Sequence, residues 1–361
     1  MSFSCGIVGL PNVGKSTIFS ALSSAEAEAA NYPFCTIDPN VGVVKVPDRR
    51  LEKLAELYKS ARIIPTTIEF VDIAGLVRGA SRGEGLGNKF LGNIREVDAV
   101  VQVVRCFQDG DVAHVEGKTD PAGDVDIIRT ELLLADLETV ERRMEKTRKT
   151  AKSGNREAAA LMETLLQLQA GLSDGKMAVY QDLNRERISD LHLLTDKPVL
   201  YVGNLSDKDS PVEREYLKAL KAYTEPDGSP VIEIAGKIEA ELTELDPADR
   251  AAFKEDLGIS ESGLERMITA GYRLLDLITF YTCGPKEAHA WTITRNTRAP
   301  QAAGVIHTDF ERGFIRAEIS KSRDLLELGS EAAVKEKGLL KQEGKDYLMC
   351  DGDIAHFKFN V

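Results

Sequence analysis

A chain of 361 residues exceeds a comfortable single core, so two or three domains are expected. Hydrophobic residues make up 43%, no apolar run approaches membrane-spanning length, and the start has no basic region ahead of an apolar core. A soluble, cytoplasmic protein without a membrane partner is the expectation. A net charge of −12 excludes a general coat for nucleic acid, and DNA binding is not expected. The five cysteines are scattered and never in C-x-x-C spacing, which excludes a disulfide framework or zinc site and leaves free thiols, Cys35 among them.

The first strand is expected over Phe3 to Val8 and the first helix over Thr17 to Leu22. Between them runs Gly9-Leu10-Pro11-Asn12-Val13-Gly14-Lys15-Ser16-Thr17, which has the G-x-x-x-x-G-K-[ST] spacing of a phosphate-binding loop. Glycines let backbone N–H groups curl round phosphate oxygens, Lys15 brings a point charge to the β and γ phosphates, and the Ser16 hydroxyl is a Mg²⁺ ligand. The helix start adds its positive dipole end.

Further on, the loop Asn31 to Asp38 holds Thr36 where a switch threonine completes the Mg²⁺ shell. Val41 to Val46 reads as a strand, Arg50 to Tyr58 as a helix and Thr67 to Asp72 as a strand. Asp72-Ile73-Ala74-Gly75 ends that strand as a Walker-B element does, with Asp72 holding Mg²⁺ through water and the Gly75 amide meeting the γ-phosphate. Gly79, Gly83, Gly85 and Gly87 then mark a switch loop. Leu76 stands where many small GTPases place a water-orienting Gln. Asn88 to Arg95 reads as a helix and Val97 to Val104 as a strand, continuing a doubly wound α/β pattern.

That pattern is interrupted by a helical insertion. One apolar seam runs through Leu133, Leu137, Val140, Met144, Thr147 and Ala151, a second through Ala158, Leu161, Leu165, Leu168 and Leu172, both in steps averaging 3.5 residues. Ser153-Gly154-Asn155 separates them, so an antiparallel hairpin is expected. Arg142, Arg143, Lys146, Arg148, Lys149, Lys152 and Arg156 surround its tip against Glu145 alone. Charge runs are usually solvated helix faces; in an acidic protein this local reversal also fits contact with RNA or the ribosome.

The α/β pattern resumes with a strand at Val199 to Val202, a helix at Glu213 to Tyr223, a strand at Val231 to Ile234 and a helix from Glu261 to about Leu277. Asn204-Leu205-Ser206-Asp207 occupies the place of the GTPase motif Asn-Lys-x-Asp. Leu205 replaces the lysine that packs over the base, while Asp207 keeps the carboxylate that pairs with guanine, so these residues leave ATP and GTP both open. Ile234-Ala235-Gly236-Lys237 sits where backbone approaches the base. From about 278, short strands at His289 to Thr294, Gly304 to Ile306, Gly313 to Ile319 and Ile354 to Val361 predict a compact α+β module.

The P-loop, the Asn31 to Asp38 loop, Asp72 to Gly75, the altered Asn204 motif, Ala290-Trp291-Thr292-Ile293, Ala299 to Phe310 and Gly313 to Glu318 together resemble the YchF-type Obg-like ATPases over essentially the whole length. The resemblance implies a P-loop NTPase domain of the G type at 1–127 and 195–277, an inserted helical coiled-coil domain at 128–194 and a β-grasp TGS domain at 278–361. It implies ATP preferred over GTP, binding to the ribosome, Asn12 to Thr17 with Asn204 and Leu205 as the nucleotide site, and Ser16 and Thr36 as Mg²⁺ ligands. His114 matches a histidine that assists hydrolysis in place of the missing Gln, beside Gly75 and Lys15. Asn12 matches an asparagine that holds K⁺ near the phosphates in related NTPases. Family members commonly end the base motif with Glu, and Asp207 departs from that. The leading reading is therefore a Mg²⁺-dependent ATPase; a GTPase translation or ribosome-assembly factor, and a nucleotide-binding regulator without useful turnover, are the alternatives.

Overall fold

Strand and helix alternate through the first part of the chain: β1 (Ser4–Val8), α1 (Lys15–Ala27), β2 (Val41–Lys45), α2 (Arg49–Tyr58), β3 (Ile63–Ile64), β4 (Thr67–Asp72), α3 (Leu86–Glu96) and β5 (Ala99–Arg105). Two long helices follow, α4 (Pro121–Lys152) and α5 (Arg156–Ser173), then β6 (Val199–Asn204), α6 (Pro211–Thr224), β7 (Val231–Ile234), α7 (Gly236–Glu244), α8 (Pro247–Asp256) and α9 (Gly263–Leu274). The remainder comprises β8 (Leu277–Cys283), β9 (Ala288–Thr294), α10 (Ala299–Ile306), α11 (Thr308–Arg312), β10 (Phe314–Lys321), α12 (Ser322–Leu328), α13 (Glu331–Glu336), β11 (Lys341–Glu343) and β12 (Asp353–Phe359). This computed structural model describes residues 3–27, 40–75, 86–108, 118–152, 154–208, 210–256 and 258–360. Among them no helix is long and apolar enough to cross a membrane.

The chain forms two units, Met1–Val44 with Glu69–Gly271, and Lys45–Ile68 with Tyr272–Val361. The first is built on a six-stranded sheet of order β2-β4-β1-β5-β6-β7. β1 runs parallel to β4 and β5, and β6 runs parallel to β5 and β7. β5 and β6 are buried along their whole length, because helices cover both faces of such a sheet and the strands read as apolar runs. The phosphate loop leaves the carboxyl end of β1 at the sheet's centre; Asp72 ends the adjacent β4, and Asn204 ends β6, one strand beyond β5.

The first unit also carries the helical insertion. Leu133, Val140, Met144 and Thr147 of α4 are buried, as are Leu165, Leu168 and Leu172 of α5, so the two predicted seams do form the hairpin's inner faces. Gly154 turns the chain with φ of 86°, and the Asn155 side chain caps α5 by accepting from the Ala158 amide at 3.0 Å. At the hairpin's root the buried Asp136 accepts from the Leu194 amide at 3.0 Å and from the Thr195 amide and hydroxyl at 2.7 Å each.

The second unit holds a six-stranded sheet of order β11-β10-β12-β8-β9-β3 with helices packed on it. Two sequence expectations are corrected there. Gly304 to Ile306 is not a strand but the end of α10, whose Ala299, Ala302 and Ala303 recur at helical spacing and are fully buried; Gln301 caps the helix by accepting from the Arg298 amide. Residues 45–68 belong to this unit rather than to the NTPase domain. Leu51, Leu54 and Ala55 of α2 share a core cluster with Tyr281, Ala288, Leu325 and Val334, and the Asp48 carboxylate accepts from the Tyr281 hydroxyl.

Candidate functional site

The phosphate loop takes its shape from two residues with positive φ, Asn12 at 63° and Gly14 at 89°. At Gly14 no other residue fits: a Cβ would lie 2.1 Å from the Asn204 Nδ2 atom, in a backbone region that side chains avoid. Val13 is buried at 1% exposure and anchors the loop on the core, while Ser16 and Thr17 are exposed at the start of α1. Lys15 forms an ion pair with Asp72. Gly75 lies against the loop, its Cβ position 3.4 Å from the Gly9 carbonyl oxygen.

Asn204 is a brace for this loop. Its buried amide donates to the Val13 carbonyl at 2.9 Å and accepts from the Gly236 amide at 3.0 Å, so one side chain joins the phosphate loop to the loop after β7. Each of those backbone groups would otherwise be an unmet polar atom in the interior. Sequence reasoning marked Asn204 and the Ala235-Gly236 segment as base contacts and missed this brace. The only signal for it was the placement of both at strand ends on the same side of one sheet. Leu205 is half-buried and Asp207 exposed; with Ser206 and Ala235 they line a cavity of about 610 Å³ that also takes in Lys221 and Glu233, themselves paired at 2.6 Å.

The site thus gathers Asn12, Val13, Gly14, Lys15, Ser16, Thr17, Asp72, Gly75, Asn204 and Leu205 at the carboxyl end of one parallel sheet, where ligands bind in such folds. Thr36, Leu76, His114 and Cys35 lie outside the described residues. A divalent ion fits the oxygens present: Ser16 offers a hydroxyl and Asp72 a carboxylate, hard donors of the kind Mg²⁺ takes alongside phosphates. Among the described residues there is no cluster of three or more His, Cys, Asp or Glu side chains, so a cage made of protein ligands alone is not found here.

Residues 4–131 match the family profile of 50S ribosome-binding GTPases, and residues 277–360 match the YchF-GTPase C-terminal profile, described as a protein of unknown function. Proteins named ribosome-binding ATPase YchF are similar along the full length: that of Haemophilus ducreyi is 51% identical over 364 residues, covering 100% of both chains. That of Bacillus subtilis is 50% identical over 366 residues with the same coverage. The structure of the Schizosaccharomyces pombe YchF GTPase matches with a TM-score of 0.89 at 40% identity, covering 99% of this chain and 98% of that one. Identity of that order across the complete length, with the phosphate loop and C-terminal unit both matched, means that this chain belongs to the YchF family.

Proposed function

We propose that the chain is a Mg²⁺-dependent ATPase that hydrolyses ATP to ADP and phosphate and reports its nucleotide state to the ribosome in the cytoplasm. The observation that carries this reading is the braced phosphate loop with Lys15 and Asp72 paired at its mouth, in a chain half identical to proteins named ribosome-binding ATPases. Backbone amides from Asn12 to Thr17 and the Lys15 ammonium bind the phosphates, and Leu205 packs beside the base. Phosphate binding draws Lys15 away from Asp72 and frees that carboxylate. Ser16, Thr36 and Asp72 would hold Mg²⁺, which when bound neutralises phosphate charge. The Gly75 amide donates to the terminal phosphate, and His114 takes the water-positioning role that Leu76 cannot fill. Asn12 would hold K⁺, in which case turnover is faster in K⁺ than in Na⁺ and the difference vanishes in Asn12→Ala.

Two further assignments belong to this reading: residues 128–194 as an arm toward the ribosome and residues 278–361 as a β-grasp TGS domain. The second reading, a GTPase, is favoured by the Asp207 carboxylate, which is the guanine-pairing group. Calorimetric affinities for ATP and GTP, with turnover measured with and without ribosomes, decide between them. ATP binds more tightly on the proposal; GTP winning by tenfold, about 1.4 kcal/mol, overturns it. Absence of turnover under every condition leaves a nucleotide-binding regulator.

A further inference from the structure

The cavity beside Leu205 and Asp207 holds an acid that no motif announces. Glu213 lies in the first turn of α6 and is 5% exposed, yet it lines that cavity together with Leu205, Ser206 and Asp207. Ser210-Pro211-Val212-Glu213 has the S-x-x-E form of a capping box, in which serine and glutamate cap each other's backbone amides. That box does not form. Ser210 makes no side-chain cap bond, and the Glu213 carboxylate accepts from the Ser206 amide at 3.2 Å, outside the helix. Helix stability alone does not call for this arrangement. A glutamate in a first turn complements the helix dipole from the surface, whereas burying a carboxylate costs free energy that one amide only partly offsets. What the buried position adds is a grip on the segment that carries Asp207.

The start of that segment is tied to the sheet: the Asn204 carbonyl accepts from the Cys106 amide and the Leu205 amide donates to the Ile234 carbonyl, each at 2.8 Å. Further along, the Ser206 hydroxyl accepts from the Lys208 amide at 3.0 Å and donates to the Lys208 carbonyl at 3.3 Å, closing a local turn round Asp207. Such a turn has a shape but no fixed place. The bond from the Ser206 amide to Glu213 supplies the place. Among the described residues, Glu213 is the only side chain from outside the segment that bonds to the backbone of residues 205–208.

We propose that Glu213 is a positioning residue for base recognition: by holding the Ser206 amide, its carboxylate fixes the turn that presents Asp207 to the base, and so sets the ratio of ATP to GTP affinity. This deepens the nucleotide-binding reading and rests on it. The two bases respond differently to Asp207. Guanine offers the carboxylate two N–H donors, at N1 and on the 2-amino group, in a paired geometry that depends on where the turn lies. Adenine has an unprotonated N1 and no 2-amino group, so it gains nothing from a firmly placed Asp207. A loosened turn therefore costs GTP affinity and spares ATP.

The test measures calorimetric affinities of the full chain for ATP, GTP and inorganic tripolyphosphate with Mg²⁺, the last probe having phosphates and no base. In Glu213→Ala, GTP affinity should fall by at least about tenfold, because paired hydrogen bonds to a carboxylate are of the strong kind. ATP and tripolyphosphate affinities should stay at the wild-type level. Glu213→Gln keeps an acceptor oxygen at the same reach and should bind all three probes as wild type does. In an Asp207→Ala background, Glu213→Ala should leave GTP affinity where that background has it, since the two residues act through one contact. A fall shared equally by all three probes overturns the proposal, because Glu213 then only supports the fold. An unchanged ratio of ATP to GTP affinity in Glu213→Ala overturns it too, as does a further tenfold loss of GTP affinity in the Asp207→Ala background, about 1.4 kcal/mol. The wild-type ratio answers a separate question: GTP binding more tightly than ATP sinks the ATPase reading, whereas the change of that ratio in Glu213→Ala judges Glu213 alone.

Discussion

Asn204 shows how one side chain sets the geometry of the nucleotide site by tying two backbone segments together. It reaches 191 residues back to Val13 and 32 forward to Gly236, and both bonds are buried. In Asn204→Ala the Val13 carbonyl and Gly236 amide are left unmet, which costs about 1–3 kcal/mol for each buried group. The expected outcome is a fall in nucleotide affinity of at least tenfold with a lower unfolding midpoint, read by calorimetry and urea denaturation. Full affinity in that variant would remove the brace from the account. The phosphate loop itself was legible because its meaning is local, spelled in nine consecutive residues. The brace was not, because nothing within either segment states which distant backbone it meets. The buried thiols make a second residue-scale prediction. Burial, and after it the Asp98 carboxylate, pushes the Cys5 thiol up to about 12; burial, and after it Asp124, does the same to Cys106. An unfolded thiol ionises near 8.5. The folded state therefore holds protons that the unfolded chain releases, so this stabilisation is complete below about 8.5 and is lost as pH rises toward 12. Urea midpoints should fall less steeply between pH 8.5 and 10.5 in Cys106→Ala than in wild type, and a thiol reagent at pH 8 should leave Cys5 and Cys106 unmodified until the protein unfolds. Equal slopes, or rapid labelling of both, would contradict it.

At the scale of elements, the hairpin was readable because its two seams repeat at 3.5 residues for several turns, a signal that short elements never accumulate. The opposite case is Gly304-Val305-Ile306, three residues that resemble a strand by composition. Pro300 near the start of α10, the Gln301 cap and the buried Ala299, Ala302 and Ala303 carry the helix through them. β8 was hidden for another reason: Leu277 to Phe280 and Tyr281 are all buried, so its sequence shows no polar alternation and merges with the preceding helix. Asp136 is the element-scale anchor. Its carboxylate meets three donors of the Leu194-Thr195 segment, which leads directly into β6 and so toward Asn204. Asp136→Ala strands two amides and a hydroxyl, a loss of about 3 kcal/mol or more. Far-UV dichroism should still report the hairpin helices, whose seam does not involve Asp136, while the urea midpoint drops. A change below about 1 kcal/mol would mean that the root is held by something else.

On the scale of the molecule, the second unit is not a contiguous piece of sequence. The C-terminal family profile covers residues 277–360, yet the unit's core also requires Lys45–Ile68. Leu51 and Leu54 are 2% and 0% exposed among Tyr281, Ala288, Leu325 and Val334. Arg50 pairs with Asp48 at 2.9 Å and with Asp351 at 2.5 Å, Tyr58 donates to Glu331 at 2.5 Å, and β3 adds a parallel strand beside β9. The amphipathic pattern of α2 identified a helix but not the sheet it would cover, because a single apolar face fits any core of suitable shape. Removing two buried leucines costs about 2–5 kcal/mol each, and the whole stability of a domain is about 5–15 kcal/mol. A fragment of residues 272–361 should therefore lack a cooperative thermal transition. Supplying residues 45–68 through a flexible linker should restore it. The chain's single tryptophan reports the result, since Trp291 stacks on His289 with ring centroids 3.6 Å apart inside this sheet. Its fluorescence should unfold sigmoidally in the fused fragment and drift without a midpoint in the bare one. A bare fragment that melts as sharply as the fused one would show that residues 45–68 decorate the core and do not complete it.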